Sequence, residues 1–79
     1  MKTFRLIITK IDKPLFAGDA VSVSVPAIDG DMTVLADHEA YVTTLKEGTI
    51  TVRTTGEEMS YPLVSGILEI SHNEVSILV

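Results

Sequence analysis

Apolar residues recur at every second position along much of this 79-residue chain, and no other feature constrains its fold as strongly. The segment from Thr3 to Thr9 alternates in this way, and segments 20–25, 49–53 and 59–63 repeat the pattern. A period of two places alternate side chains on opposite faces of a strand, whereas a helix requires a period of 3.6. No helical pattern continues for more than one turn. The chain is therefore predicted to be all-β.

Turn signals separate these runs about every 8–12 residues, a spacing typical of a β-sandwich or barrel. They are Lys13-Pro14, Ala17-Gly18-Asp19, Asp29-Gly30-Asp31, Glu47-Gly48, Thr55-Gly56 and His72-Asn73. We expect the glycines in these signals to adopt positive φ, which glycine does without steric cost. Gly66 lies instead inside an apolar run from Leu63 to Ile70, and we expect it to mark a bulge or a close approach of two backbones.

Chain length and the alternation together predict one small core in a single domain that occupies residues 1–79. The residues on the apolar side of each run are the expected core. They are Phe4, Leu6, Ile8, Val21, Val23, Val25, Val34, Leu45, Ile50, Val52, Leu63, Leu68, Ile70, Val75 and Ile77.

Composition excludes several classes of function. Eleven acidic residues against six basic ones give a formal charge of −5, which repels nucleic acid phosphates and anionic lipid headgroups. The chain contains no cysteine, so disulfides and thiolate metal sites are impossible. No apolar run approaches the roughly 20 residues of a membrane span, and the first residues lack the apolar core of a signal peptide. We expect a cytosolic or peripheral protein.

One polar stretch interrupts the strand pattern and carries the most chemistry. Its candidate ligands are Asp29, Asp31, Asp37, His38 and Glu39. A calcium loop needs ligands at alternating positions closed by a glutamate on a following helix, and this stretch departs from that pattern after two acids. No serine or threonine lies in a motif that would make it a nucleophile with His38 as its general base. We therefore expect the His38 side chain to form a hydrogen bond with the nearby backbone. We predict no metal, no cofactor and no catalytic site.

Several segments together resemble the amino-terminal domain of the epsilon subunit of F-type ATP synthases. They are FAG at 16–18, DGDMTVLADHEA at 29–40, LKEGTI at 45–50, VSGILEI at 64–70 and VSIL at 75–78. The resemblance covers nearly the whole chain without a gap. Thr33, Ala36 and Ser65 depart from it, because the family usually has glycine, proline and glycine at these positions.

The resemblance implies a flattened, ten-stranded β-sandwich that belongs to the central stalk and has no catalytic site of its own. It implies that the rotor subunit joins gamma to the ring of c subunits, supports assembly, and couples ATP synthesis to ion transport. Asp29, Gly30 and Asp31 would face the c ring, and Asp37, His38 and Glu39 would face gamma. The complex would sit at the cytoplasmic face of a bacterial membrane, with this subunit peripheral.

The family's carboxy-terminal helical pair, which carries inhibition and in some bacteria ATP binding, has no counterpart in these 79 residues. The resemblance therefore implies a subunit that does not bind ATP, either as an isolated domain or as a naturally short form. The rival interpretation is a free-standing β-sandwich that binds a small ligand or peptide. That function favours an exposed aromatic platform, yet Phe4, Phe16, Tyr41 and Tyr61 fall mostly at positions expected in the core.

Overall fold

The computed structural model describes residues 2–79, and every regular element in that range is a β-strand. Alternation between buried and exposed side chains along most strands matches the period read from the sequence. The nine strands are β1 (Phe4–Thr9), β2 (Pro14–Ala20), β3 (Ser22–Ala27), β4 (Gly30–Leu35), β5 (Tyr41–Leu45), β6 (Gly48–Arg53), β7 (Glu58–Leu63), β8 (Gly66–Ser71) and β9 (Glu74–Leu78). The prediction of an all-β fold is confirmed.

The strands form one hydrogen-bonded sheet in the order β2-β1-β9-β8-β5-β3-β6-β7, with β4 paired to the free side of β3. All pairings are antiparallel except that between β1 and β9. The sheet curls so that its two halves enclose one core, as in a sandwich. We call β2-β1-β9-β8-β5 the first half and β4-β3-β6-β7 the second half.

Strand β3 connects the halves. Its first residues pair with β6 in the second half, whereas Ala27 at its end pairs with Leu45 of β5 in the first half. One continuous strand thus serves both halves. The structure has nine strands over residues 2–79, so the expected number of ten was wrong, although the sandwich architecture was right.

The core is the one that the alternation predicts. Fourteen of the fifteen expected core residues are buried, and Ala20 and Ala27 join them. The exception is Val21, which is half-buried in the bend between β2 and β3. There the backbone N–H of Val21 donates to the carbonyl of Arg53 at 2.7 Å, and the chain turns from one half of the sheet into the other. The predicted strand over 20–25 therefore begins two residues later.

One predicted turn is a strand segment, and one predicted continuous run contains a turn. The predicted turn at 17–19 lies inside β2, where Gly18 pairs with Leu6 of β1, so pairing with a neighbour overrides the local turn signal. The run from Leu63 to Ile70 is not one strand, because the chain turns at residues 64 and 65 between β7 and β8. Of the glycines expected to have positive φ, Gly30 has it (φ 131°), and the other three do not.

Residues 2–79 contain no helix, and hence none that could cross a membrane.

Candidate functional site

The acidic turn is the tip of the β3–β4 hairpin. Ala27 pairs with Gly30, which leaves a two-residue turn at Ile28 and Asp29. Gly30 takes a φ of 131°, a conformation that side-chain-bearing residues rarely adopt, so the turn depends on glycine at this position. The N–H of Ile28 donates to the carbonyl of Thr44 at 3.0 Å and fixes the tip against β5. Asp29 and Asp31 are both exposed on this anchored tip.

The second candidate segment is the loop over residues 36–40, between β4 and β5. Asp37 adopts a φ of 68° there, in the left-handed region that aspartate tolerates better than most residues. Its Oδ2 accepts a hydrogen bond from Nζ of Lys2 at 2.6 Å. The His38 Nδ1–H donates to the carbonyl of Glu39 at 2.8 Å, as predicted for a histidine that bonds nearby backbone. The loop is thus held by one hydrogen bond to Lys2, near the start of the chain, and by one hydrogen bond within the loop.

The Lys2–Asp37 contact changes the titration of the lysine. Hydrogen bonding to the Asp37 carboxylate, followed by the Coulomb attraction of the same group, raises the pKa of Lys2 above 10.5. Desolvation opposes this shift, but Lys2 is fully exposed and the opposing effect is the smallest of the three. Lys2 therefore remains charged throughout the neutral range.

Both predicted loops border one shallow depression. It has a volume of about 300 Å³ and lies between the hairpin tip and the start of β5. Asp29, Gly30 and Asp31 line one side, and His38 and Tyr41 line the other. The structure therefore brings together Asp29–Asp31 and His38, which are nine residues or fewer apart in sequence but lie on separate elements.

Asp37 and Glu39 do not line that depression. Asp37 instead borders a neighbouring cleft of about 530 Å³ together with Lys2, His38 and His72. His38 lies between the two concavities and lines both of them. Within residues 2–79, no group of three His, Asp or Glu side chains is arranged to hold a metal ion. The chemistry of these surfaces is that of exposed charge and hydrogen bonding, which suits contact with another protein.

Sequence reasoning missed two contributors to this region. Tyr41 was one of four aromatic residues expected mostly at core positions, but it is 44% exposed beside the depression, at the first residue of β5. Phe4 is buried as expected, while Phe16 and Tyr61 are half-buried against the core. Lys2 was not singled out at all, since no local pattern connects it to a residue 35 positions away.

A family model described as "ATP synthase, Delta/Epsilon chain, beta-sandwich domain" matches residues 3–79. An ATP synthase epsilon chain of Bradyrhizobium sp. (strain ORS 278) is 37% identical over 78 residues, which is 99% of this chain and 58% of the relative. An epsilon chain of Rhodopseudomonas palustris (strain BisA53) is 35% identical over 78 residues, again 99% of this chain and 58% of the relative. This chain therefore spans somewhat over half the length of these relatives.

Solved structures of ATP synthases contain chains with the same fold. A chain in the cryo-EM structure of the Euglena gracilis mitochondrial ATP synthase, described as OSCP/F1/c-ring, matches with a TM-score of 0.90 and 25% identity. The match covers 96% of this chain and 49% of that one. A chain of the Tetrahymena thermophila central stalk and c ring has the same fold, with a TM-score of 0.82 at 14% identity over 94% of this chain and 60% of that one. The protein belongs to the delta/epsilon chain β-sandwich family of ATP synthases.

Proposed function

We propose that this protein is a non-catalytic rotor subunit of an F-type ATP synthase, and that it joins the gamma subunit to the c ring. The observation that carries the proposal is the match of residues 3–79 to the ATP synthase delta/epsilon β-sandwich domain, supported by the similar chain in the OSCP/F1/c-ring assembly of Euglena gracilis. Its contribution would be to assembly and to the coupling of ATP synthesis to ion transport. Together with the bacterial relatives, this proposal assigns the subunit to the cytoplasmic face of a membrane, attached through its partners.

The two exposed loops are the proposed points of contact. We assign Asp29, Gly30 and Asp31 at the hairpin tip to the c ring, and Asp37, His38 and Glu39 to gamma. Support comes from the exposure of these carboxylates and from the hydrogen bond that anchors the tip to β5. Because the hairpin tip is already fixed in place, its carboxylates can contact basic loops of a partner with little further loss of conformational entropy. Because His38 borders both concavities, it lies where the two contacts would adjoin.

Co-purification and titration calorimetry with a cognate gamma subunit and c ring would test this assignment. Asp29→Lys and Asp31→Lys should weaken binding to the c ring by about tenfold or more and reduce its salt dependence, while His38→Ala should weaken binding to gamma. Glu57→Lys is the matched control, because it reverses an exposed carboxylate in the distant β6–β7 turn. If wild-type protein binds neither partner, the rotor assignment is wrong. If Glu57→Lys weakens binding as much as Asp29→Lys, the loop assignment is wrong.

We further propose that residues 1–79 fold as one module that binds no ATP. The single contiguous core cluster supports the first part. Calorimetric titration of the chain with ATP should give no heat of binding, and micromolar affinity would contradict the second part.

A further inference from the structure

Three strands of the sheet have a neighbour on one side only within residues 2–79, namely β2, β4 and β7. A strand edge of this kind carries unpaired backbone N–H and C=O groups, which can pair with a strand of another molecule. Proteins usually block such edges with proline, with charged side chains or with a bulge. The three edges of this fold differ in how far they are blocked.

The edges at the two ends of the strand order carry these blocking features. β2 begins with Pro14, and its pairing with β1 contains a register shift near that end. β7 contains Glu58 and Pro62. β4 has the sequence GDMTVL, without proline, and it pairs with β3 in continuous register over all of its residues. Asp31 is its only charged residue, so β4 is the edge best able to accept another strand.

The register shows which residues of β4 direct their backbone groups to the free side. The Pro26 carbonyl of β3 accepts a hydrogen bond from the N–H of Lys46 at 2.9 Å, on the side away from β4. Because successive residues of a strand direct these groups to opposite sides, Ala27 and every second residue before it bond to β4. Their partners are the even-numbered residues of β4. The free edge therefore carries the N–H and C=O groups of Asp31, Thr33 and Leu35, whose side chains are all exposed.

We propose that β4 pairs with β4 of a second copy of this chain, antiparallel and about a two-fold axis at Thr33. In this register Thr33 lies opposite its own counterpart and Asp31 lies opposite Leu35, so the outward donors and acceptors of the two copies match. Met32, which packs against the core, lies opposite the buried Val34. The pairing joins the second halves of two sandwiches into one continuous sheet.

The side chains of this pairing suit a second copy. Two threonines directly opposite each other are a favourable cross-strand pair. Thr33 ends a row of hydroxyl side chains across the second half, and this row continues into the partner. Its other members are Ser24, Thr51 and Ser60. The two Asp31 carboxylates lie four residues apart along the strands, at least about 13 Å, which exceeds the screening length of about 8 Å at physiological salt.

One pair of strands is a small interface, so we expect a weak dimer with a Kd of about 0.1 mM. Each chain has a formal charge of −5, so added salt should strengthen the association. Asp31 belongs both to this edge and to the hairpin tip assigned above to the c ring. Under that assignment, which rests on the proposed function, the dimer is a form of the free subunit that assembly must dissociate. The strand pairing itself does not depend on the assignment.

The first test is sedimentation equilibrium of the chain at up to about 1 mM, ten times the expected Kd. Thr33→Lys places two ammonium groups opposite each other and should abolish the dimer. Ser60→Lys is the matched control, because Ser60 is exposed at the opposite end of the same hydroxyl row, on the edge strand β7. It adds the same charge and should dimerise like wild type. Melting temperatures equal to wild type would establish that both variants are folded.

A charge swap tests the register itself. Thr33→Glu should also be monomeric, whereas an equimolar mixture of Thr33→Glu and Thr33→Lys should form a mixed dimer, because opposite charges then meet at the two-fold axis. Amide hydrogen exchange followed by NMR gives an independent measurement. Exchange of the wild-type Thr33 amide should slow as the protein concentration rises, while that of Met32, which already bonds to β3, should not.

Three results would overturn the inference. They are a monomeric wild type at 1 mM, equal loss of the dimer in folded Ser60→Lys, and the absence of a mixed dimer in the charge swap. If wild type is monomeric and a cognate gamma subunit or c ring protects the Thr33 amide, the edge belongs to that partner instead. The rotor assignment is tested separately by wild-type binding to gamma and the c ring, so either conclusion can fail alone.

Discussion

Gly66 lies against the backbone of Leu78. A Cβ added to Gly66 would come within 2.6 Å of the Leu78 carbonyl oxygen, closer than real side chains approach. The sequence predicted a bulge or a close backbone approach at this glycine, and the structure confirms the close approach. β7 has just turned into β8 at this point, and Gly66 pairs with Leu45 on the side away from β9. The contact therefore limits how β8 and β9 can sit together.

Replacing Gly66 with alanine should destabilise the fold by about 1–3 kcal/mol, because a carbonyl group of the sheet cannot move aside as a flexible side chain can. Chemical denaturation monitored by circular dichroism would measure the difference in the free energy of unfolding. Gly56→Ala is the matched control, since nothing lies within 4 Å of an added Cβ there and its φ is not in the left-handed region. Equal stability of the two variants would contradict the steric argument.

Gly30→Ala should also destabilise the protein, but for a different reason. No atom lies within 4 Å of an added Cβ at this position, so the cost arises from the backbone φ of 131°. Conformations of this kind cost residues other than glycine about 1–3 kcal/mol. Because D-alanine accommodates positive φ, semisynthetic protein with D-alanine at position 30 should recover most of the lost stability. Equal destabilisation by both enantiomers would point to a steric cause instead.

Leu68→Ala should cost about 2–5 kcal/mol of unfolding free energy. Leu68 is fully buried between Thr43 and Ile77 on the neighbouring strands, and truncation there leaves a cavity in a thin core. Val64→Ala removes apolar atoms from a side chain that is 79% exposed and should change stability by less than about 0.5 kcal/mol. Urea denaturation of both variants checks the contrast, and a Leu68→Ala protein as stable as wild type would refute the placement of this side chain.

The Lys2–Asp37 contact should be lost at alkaline pH, as Lys2 loses its proton. The pKa of Lys2 is raised in the folded state, so any stability from the contact is fully present below the ordinary lysine pKa. That contribution is lost as pH rises through the folded-state value. Asp37→Asn keeps a side chain that tolerates positive φ while removing the charge. NMR titration should then show a lower pKa for Lys2, and an unchanged pKa would mean that another group causes the shift.

The parts of the fold that local patterns determine were predictable. Alternation identified most of the core because each strand has one buried face, and buried valine, leucine and isoleucine repeat with the strand period. Val21 and the segment 17–19 were misassigned because the sequence signals there are local, whereas the bend and the pairing of Gly18 with Leu6 depend on distant strands. Thr33, where the family usually has glycine, fits this fold because its hydroxyl meets that of Ser24.

The candidate surfaces were only partly predictable. The polar stretch at 29–39 was evident from its charged residues, but it does not interrupt the strands throughout, because Gly30–Leu35 forms β4. Its arrangement was not evident, since the Lys2–Asp37 contact and the depression shared by Asp29 and His38 arise from tertiary structure. Apolar residues in the outward phase of their strands left one signal in the sequence: they are Ile7, Val42, Ile67 and Leu78.

The parallel pairing of β1 with β9 has a consequence for how the chain acquires its structure. β9 lies between β1 and β8, so the β1–β2 hairpin joins the rest of the sheet only through the last strand. During synthesis the edge of β1 stays open until Glu74, which pairs with Arg5 and lies 69 positions further along the chain, has been added. Such distant closure slows folding. We therefore expect completion of the sandwich to be a late, cooperative event. Until then, the unpaired edge of β1 should be the segment that most needs protection by a chaperone.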